Sequence, residues 1–241
     1  MRLRSLLLLI GLTCFFSSAP AAESPYLYKV KLVQAAPGKL LDVIDLYKAS
    51  LVGYKDSGDE PPLWMRHSQG DHWDLLLLFP VKSYTEYYSP ERLAKRKQQK
   101  DALAKLDAAI AWQEDVFVFG PPLDELKSAF ASSTFFHVEM FHALAGKQAD
   151  LFKEREMENG YLKALKRPEN FIFTRDQGAA WDLFTIGAYR DLKHFAESAD
   201  ISEAEQEAAA RSAGFAAANS IGPYLRTLIS SHHDTLAVRI R

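Results

Sequence analysis

The heptapeptide QGDHWDL at residues 69–75 returns 108 positions later as QGAAWDL at residues 177–183. At the same shift, Val30 aligns with Val138. A register that holds without a gap from residue 28 to about residue 88 indicates an internal repeat. The chain is therefore interpreted as two copies of one structural unit.

The elements around this heptapeptide predict the fold of each copy. Residues 26–34, YLYKVKLVQ, alternate as a half-buried strand does, and the apolar positions of residues 39–54 have helical spacing. Gly70 supplies the positive φ of a hairpin between two further strands. A charged helix then begins at Ser89 and precedes a fourth strand at residues 115–119. This order is β-α-β-β-α-β, the ferredoxin-like unit.

The second copy follows the same order, and its last strand is predicted at residues 235–240, after a loop that contains His232 and His233. The predicted segments are a signal peptide at 1–22, a first repeat at 23–120, a linker at 121–133 and a second repeat at 134–241. A four-stranded sheet with helices on one face must bury its other face. We therefore predict an α+β fold in which two tandem ferredoxin-like βαββαβ repeats form a pseudo-symmetric α+β barrel. The helices would lie outside, with a cavity between the two sheets.

The N-terminus has the pattern of a secretory signal peptide. Arg2 and Arg4 precede an apolar run from Leu6 to Phe16, and small residues follow at the cleavage site. The run is shorter than the ~20 residues that a membrane-spanning helix needs. We predict a periplasmic or secreted protein without membrane insertion.

Cleavage changes the composition of the chain. Lys and Arg fall from 29 to 27 against 31 Asp and Glu, because Arg2 and Arg4 leave with the signal. This mild acidity argues against a nucleic-acid partner. Cys14, the single cysteine, leaves as well, so the mature chain has no disulfide, no cysteine metal site and no thiol nucleophile.

Three features resemble the dimeric α-β barrel superfamily. They are the first strand followed by Pro37-Gly38-Lys39 and an amphipathic helix, the Gly70-x-x-Trp73-Asp74 hairpin, and the aromatic helix start Tyr84-x-x-Tyr87. Within the superfamily, the tandem arrangement is most similar to NIPSNAP-type proteins, over nearly all of residues 26–241. The superfamily includes cofactor-free monooxygenases, haem-containing chlorite dismutase and dye-decolourising peroxidase relatives, and members without known activity. No residue here matches the haem ligands or catalytic residues of those enzymes.

Polar residues on the first strand of each repeat are the main candidates for ligand binding: Lys29, Lys31 and their counterparts His137 and Glu139. If the face opposite Tyr28 points into the barrel, these side chains would lie in an apolar cavity, where ligand contacts and pKa shifts arise. The alternative places them in solvent at the rim or in ion pairs across the barrel. Arg66 on the second strand is a further candidate, since it could bind an anionic ligand. The alternative is that Arg66 lies on the surface or in an ion pair.

The tryptophans of the two hairpins, Trp73 and Trp181, are predicted to be core residues. Asp74 and Asp182 point to the opposite face, where they would make either a hydrogen bond common to both copies or a pair of functional acids. The histidines do not predict a metal site. His137 and His142 point to opposite faces of one strand, and His232-His233 lacks the helical spacing of two histidines and a carboxylate. We predict no metal and no cofactor.

No nucleophile elbow, phosphate-binding glycine loop or dinucleotide fingerprint is present in the sequence. The first functional prediction is a non-enzymatic exported protein that binds a small molecule in the cavity between the two sheets. The second is an oxidoreductase, either a cofactor-free oxygenase of an aromatic substrate or a haem protein. The third is a structural module that forms a homo-oligomer through its outer helices or strand edges.

Overall fold

The computed structural model describes residues 26–98 and 100–240, so the predicted signal peptide lies outside the described residues. The first repeat contains β1 (Tyr26–Ala35), α1 (Leu40–Ser57), β2 (Leu63–Gln69), β3 (Leu75–Lys82), α2 (Tyr84–Tyr87), α3 (Pro90–Lys97), α4 (Lys100–Asp107) and β4 (Ile110–Gly120). Helix α5 (Leu123–Ser132) follows. The second repeat contains β5 (Phe135–Ala143), α6 (Gln148–Ala164), β6 (Phe171–Gln177), β7 (Leu183–Tyr189), α7 (Leu192–Ala196), α8 (Glu203–Ser212), α9 (Ile221–Arg226) and β8 (Ile229–Arg239).

The eight strands of the described residues form one closed barrel in the order β1-β3-β2-β8-β5-β7-β6-β4. Each repeat contributes four adjacent strands, and the order β4-β1-β3-β2 of the first repeat matches β8-β5-β7-β6 of the second. The two sheets join where β2 pairs with β8 and where β4 pairs with β6, both antiparallel. The predicted fold class, two tandem ferredoxin-like repeats in one α+β barrel, is confirmed.

The interior of the barrel is a packed apolar core. Tyr28, Val30 and Leu32 alternate into it from β1, and Phe136, Val138 and Met140 enter it from the equivalent positions of β5. All six are buried, as expected for an eight-stranded barrel, whose interior is just wide enough for side chains to fill. The described strands thus enclose a core at the place where the sequence predicts a cavity.

Helix α5 contributes to the same core. Leu126 and Phe130 are buried in it, and the ring of Phe130 stacks on Phe136 with centroids 4.6 Å apart. Tyr28 donates a hydrogen bond from its hydroxyl to the carbonyl of Pro121, just before α5, at 2.7 Å. These contacts fix the connection between the two repeats against the barrel.

The outer face of the first sheet is covered by helices. Leu27 and Val33 of β1 pack there with Val43 and Tyr47 of α1. Since Lys29 and Lys31 alternate with the inward Tyr28, they also point outward, towards the helices. Of the two orientations considered for these lysines, the one that points into the barrel is not observed, because the closed interior takes the fully apolar face.

Each hairpin packs against the last strand of the other repeat. Gly70 has φ +124°, and a Cβ there would lie 2.2 Å from the carbonyl oxygen of Asp234. Gly178 has φ +88°, and its Cβ would lie 2.6 Å from the carbonyl oxygen of Asp115. Only glycine fits both the backbone conformation and the close approach.

The rest of the repeated hairpin motif is structural. Trp73 and Trp181 are buried in the barrel core. The carboxylate of Asp182 accepts a hydrogen bond from the amide of Ala143 at 2.9 Å, and Asp74 makes the equivalent bond. The two tryptophans pin the hairpin to the interior, and the two aspartates tie it to the end of the first strand.

The last strands begin earlier than the sequence predicts. Strand β4 starts at Ile110 and β8 at Ile229, so His232 and His233 lie on β8 rather than in a loop. In the described part of the chain, no helix combines the length and apolar character needed to cross a membrane.

Candidate functional site

A gap of about 250 Å³ separates the outer face of the first sheet from helices α1 to α4. We call it the first compartment. Half of its lining residues are aromatic or cationic: Lys29, Lys31, Tyr47, Tyr54, Phe79, Tyr87 and Arg96. The other half comprises three acidic residues and four uncharged ones: Asp59, Glu60, Asp107, Pro80, Val81, Leu106 and Gln113.

Aromatic rings form one wall of the first compartment. Tyr54 and Phe79 lie with their ring centroids 5.7 Å apart. The guanidinium carbon of Arg96 lies 3.9 Å from the centroid of the Tyr87 ring, a cation-π contact. Arg96 is held there by Asp59, at 3.3 Å from its Nε atom. The compartment therefore presents flat apolar surfaces beside the ion pair of Arg96 and Asp59.

The side chains of Lys29 and Lys31 extend from β1 into the first compartment. The Nζ atom of Lys31 lies 2.9 Å from Asp115 and donates a hydrogen bond to Gln113 at 2.9 Å. The Nζ atom of Lys29 is 3.9 Å from Asp115 and 5.4 Å from the centroid of the Phe79 ring. Lys29 is thus the less firmly paired of the two amines.

Burial changes the acid–base properties of this lining. It lowers the pKa of Lys29, although Asp115 acts in the opposite direction. Burial raises the pKa of Tyr54 to about 12 and raises the pKa of Tyr47 further. The hydroxyl of Tyr47 is buried with no hydrogen-bond partner among the described residues. In the first compartment, burial thus favours the neutral form of the Lys29 amine and the neutral form of the two phenols.

The second repeat has a different set of polar groups at the equivalent place. His137 and Glu139 point outward from β5 towards α6, whose Arg155 lies 3.7 Å from Glu139. Arg155 also binds Glu154 at 2.6 Å and pairs with Glu158. We call this helix-covered face of the second sheet, with His137, Glu139, Arg155 and Asp234, the second compartment.

Asp234 of β8 completes the second compartment. Its Oδ1 atom lies 3.4 Å from Nε2 of His137, and its Oδ2 atom lies 3.3 Å from Nε2 of His232. The hydrogen bond from His137 lowers the pKa of Asp234. Burial acts to lower the pKa of His137, but Asp234 and Glu139 outweigh it, so that this pKa is raised.

Burial has a larger effect on Glu158. It raises the pKa of this carboxyl to about 7, despite the opposing effect of Arg155. The second compartment therefore contains a carboxyl that titrates near neutral pH.

The predicted site residues do not form one site. Lys29 and Lys31 lie together in the first compartment, whereas His137 and Glu139 lie together in the second. Arg66 is exposed on β2. Asp115 and Asp234 were not predicted. They hold the same register opposite Lys31 and Glu139, and an alignment of the last strands of the two repeats would have paired them.

No protein-family model and no curated protein sequence matches the chain. Solved structures do match it. An anthrone oxidase-like protein has a TM-score of 0.57 at 11% identity, covering 91% of this chain and 93% of that chain. A protein of Lactobacillus acidophilus NCFM assigned as a monooxygenase has a TM-score of 0.54 at 7% identity, covering 90% and 94%. A protein assigned as a chlorite dismutase has a TM-score of 0.50 at 10% identity, covering 90% and 95%.

The prediction of a non-enzymatic protein that binds its ligand between the sheets is wrong. The inner faces of the two sheets pack directly against each other, and the similar structures are named for oxidase, monooxygenase and chlorite dismutase chemistry. These names fit the alternative prediction of an oxidoreductase better. At these identities the likeness shows the fold alone. The chain therefore has the dimeric α-β barrel fold, with both halves of the barrel in one polypeptide.

Proposed function

We propose that the chain is an oxidoreductase that oxidises a small, acidic aromatic substrate with dioxygen in the first compartment. One observation carries the proposal: Lys29, an amine whose pKa is lowered by burial, faces a space of about 250 Å³ walled by aromatic rings. A general base needs an unprotonated atom that can accept a proton, and burial shifts the Lys29 amine towards its neutral form. Lys29 is the residue of this lining that fits the role.

The rest of the lining suits an anionic aromatic molecule. Phe79 and Tyr54 offer flat surfaces on which a ring can lie. Arg96 and Lys31 lie at the edge, each paired with a carboxylate. A cation in a mostly enclosed site stabilises a negative charge that develops there more strongly than it would in water. The substrate anion is therefore stabilised as it forms.

The reaction balances without a reductant or an organic cofactor. The neutral amine of Lys29 takes a proton from an acidic CH₂ group that lies between two aromatic rings, both conjugated to a carbonyl group. The resulting carbanion gives one electron to O₂, and the two radicals combine to form a C–O bond. The Lys29 ammonium returns its proton to give a hydroperoxide. Loss of the second C–H proton and of hydroxide, which together leave as water, gives a carbonyl, so that CH₂ and O₂ become C=O and H₂O.

The alternative prediction also included a haem-dependent oxidoreductase, which would need an iron ligand and space for a porphyrin in one of the two compartments. Haem iron takes a histidine, cysteine, methionine or tyrosine ligand. The described residues that line the first compartment include three tyrosines but no histidine, cysteine or methionine. Burial raises the pKa of Tyr47, Tyr54 and Tyr87 and so disfavours the phenolate that a tyrosine ligand requires, and the space of about 250 Å³ is smaller than a porphyrin requires. In the second compartment Phe141, Leu151 and Arg155 are buried between the sheet and α6. A haem does not fit either place.

Three further statements remain predictions beside this proposal. They are export through the signal peptide at residues 1–22, the closer similarity to NIPSNAP-type proteins, and self-association into a homo-oligomer. The proposed reaction is compatible with each of them and depends on none.

The test uses anthrone, a three-ring ketone with an acidic CH₂ group, as the probe. We expect the mature chain to consume O₂ and anthrone in equal amounts without added metal, flavin or NADH, and the Lys29→Met variant to lose this activity. Oxygen electrode traces and mass spectrometry of the product in ¹⁸O₂ provide the measurement. Activity that persists in Lys29→Met, or that requires NADH, would contradict the proposal.

A further inference from the structure

Lys31 and Glu139 occupy equivalent positions of the two repeats but carry opposite charges. Lys31 pairs in register with Asp115, and Glu139 pairs in register with Asp234. In the first repeat the Nζ atom of Lys31 lies 2.9 Å from Asp115 and neutralises it. In the second repeat the carboxylate of Glu139 faces the carboxylate of Asp234. The position that is a lysine in the first repeat is therefore an acid in the second.

The surrounding residues leave a surplus of negative charge. Arg155 is the guanidinium nearest to Glu139, at 3.7 Å. The same guanidinium binds Glu154 through two hydrogen bonds, at 2.6 and 2.8 Å, and pairs with Glu158. One guanidinium therefore faces three carboxyl groups, one of which, Glu158, has its pKa raised to about 7 by burial. Asp234 adds a fourth carboxyl group, which faces His137. Buried carboxylates require a counter-charge, which a bound cation would supply.

The donor atoms converge on one point. His137, Glu139 and Asp234 each offer one ligand atom, and these atoms all lie within 4.8 Å of one another. A tetrahedral ion with bonds of ~2.1 Å holds its ligand atoms ~3.4 Å apart. Nε2 of His137 and Oδ1 of Asp234 already lie 3.4 Å apart. The ligand atom of Glu139 lies within 4.8 Å of both, so the set closes to this spacing if the Glu139 carboxylate moves towards them.

We propose that the second compartment binds a divalent first-row metal ion, Zn²⁺ or Mn²⁺, through Nε2 of His137 and one carboxylate oxygen each of Glu139 and Asp234. A mixed set of imidazole and carboxylates suits these ions. The side chain of Asp234 is 53% exposed whereas that of Glu139 is 13% exposed. The ion therefore enters along β8, and its remaining position faces solvent.

Neighbouring groups hold the two carboxylates in place. Thr185 donates a hydrogen bond from its hydroxyl to Oε2 of Glu139 at 3.2 Å. Nε2 of His232 lies 3.3 Å from Oδ2 of Asp234, on the side away from His137. Such outer partners orient metal ligands, and their loss typically weakens metal affinity by ~10- to 100-fold. Thr185 and His232 are positioning residues for the proposed site.

The test is metal titration of the tag-free mature chain after treatment with a chelator. Isothermal titration calorimetry with Zn²⁺ and then Mn²⁺ is expected to give one tight site per chain for at least one of the two ions. The Glu139→Gln and Asp234→Asn variants keep the side-chain volume but lose the charge. We expect each to weaken binding by more than ~10-fold, and Thr185→Val to weaken it by ~10- to 100-fold.

Asp115→Asn is the matched control, because it makes the same change at the equivalent position of the first repeat. Its affinity for the metal is expected to stay within about twofold of the parent chain, by analogy with surface changes that leave a distant site intact. Co²⁺ provides a measurement that needs no variant: visible bands of low-symmetry Co²⁺ are expected and are lost when Zn²⁺ is added. Absence of a tight site for both Zn²⁺ and Mn²⁺, unchanged affinity in Glu139→Gln, or an equal loss in Asp115→Asn would overturn the proposal.

Discussion

The Oδ2 atom of Asp74 accepts a hydrogen bond from the backbone amide of Ala35 at 2.8 Å, which joins the β2–β3 hairpin to the end of β1. Removing this acceptor leaves a partly buried amide without its partner. Such a loss costs about 1–3 kcal/mol. We expect Asp74→Ala to lower the free energy of unfolding by this amount in urea titrations followed by circular dichroism.

Asp45→Ala is the control for this prediction, since Asp45 is exposed on α1. It is expected to change the free energy of unfolding by less than about 0.5 kcal/mol. Asp182→Ala removes the equivalent bond of the second repeat and is expected to resemble Asp74→Ala. Equal stability of Asp74→Ala and Asp45→Ala would show that the hydrogen bond does not stabilise the hairpin.

A methyl group at position 70 tests the contact between the repeats. The Cβ of Gly70→Ala would lie 2.2 Å from the carbonyl oxygen of Asp234, and the backbone has φ +124°. We expect destabilisation by more than about 1 kcal/mol, measured by thermal unfolding. Gly222→Ala is the control, because its Cβ would have nothing within 4 Å. This control is expected to be neutral or up to about 1 kcal/mol more stable, as alanine favours a helix.

The pH dependence of the proposed oxidation tests the role of Lys29. Burial lowers the pKa of this amine below its usual 10.5, and only the neutral amine accepts a proton. The rate is therefore expected to rise with pH and to level off above the lowered pKa. Lys29→Met is expected to remove this rise and to reduce kcat by ~10²- to 10⁴-fold. Lys48→Met, at an exposed position of α1, is expected to keep the parent profile.

The stability of the metal-free protein is expected to depend on Glu158. Its pKa is raised by burial from 4.5 to about 7 in the folded state, so the folded protein binds the proton more tightly than the unfolded chain. The resulting stabilisation is complete below pH 4.5 and is lost as the pH rises through about 7. Urea midpoints between pH 4.5 and 8 are expected to fall with pH in the parent chain and less steeply in Glu158→Gln. If the urea midpoint of Glu158→Gln falls with pH as steeply as that of the parent chain, Glu158 is not responsible for the pH dependence. The dependence would then be assigned to His137, whose pKa is also raised.

The repeat was sufficient to predict the fold. The alternation of Tyr28 and Val30 with Lys29 predicted a strand. The alignment of Val30 with Val138 predicted the equivalent strand of the second repeat. Alternation did not show which face of β1 points into the barrel, because both faces are covered. Tyr28 is covered by the opposite sheet and Leu27 by α1. The narrow interior of an eight-stranded barrel decides in favour of the apolar face, which leaves Lys29 beneath the helices.

The acidic partners of the site were harder to find. Asp115 and Asp234 are 119 positions apart, whereas the repeat in the first part of the chain has a shift of 108. The insertion that precedes β8 hides their equivalence. The first half of β8, ISSHHD, is almost entirely polar, so it did not read as a strand. Its backbone pairs with β5, and this pairing is a tertiary contact that a local pattern does not contain.

The closed order of the strands bears on how the polypeptide reaches its folded state. Strands β2 and β4 are the two margins of the first sheet, and the outer edge of each is paired only by a strand of the second repeat, β8 and β6 respectively. Until β8 has been made, the first half presents two rows of unpaired backbone groups, which are templates for aggregation. Because the two repeats are joined in one polypeptide, the strands of the second repeat reach these edges at an effective concentration on the order of millimolar. Fusion of the two halves thus shortens the interval during which the newly made chain can associate with the wrong neighbour.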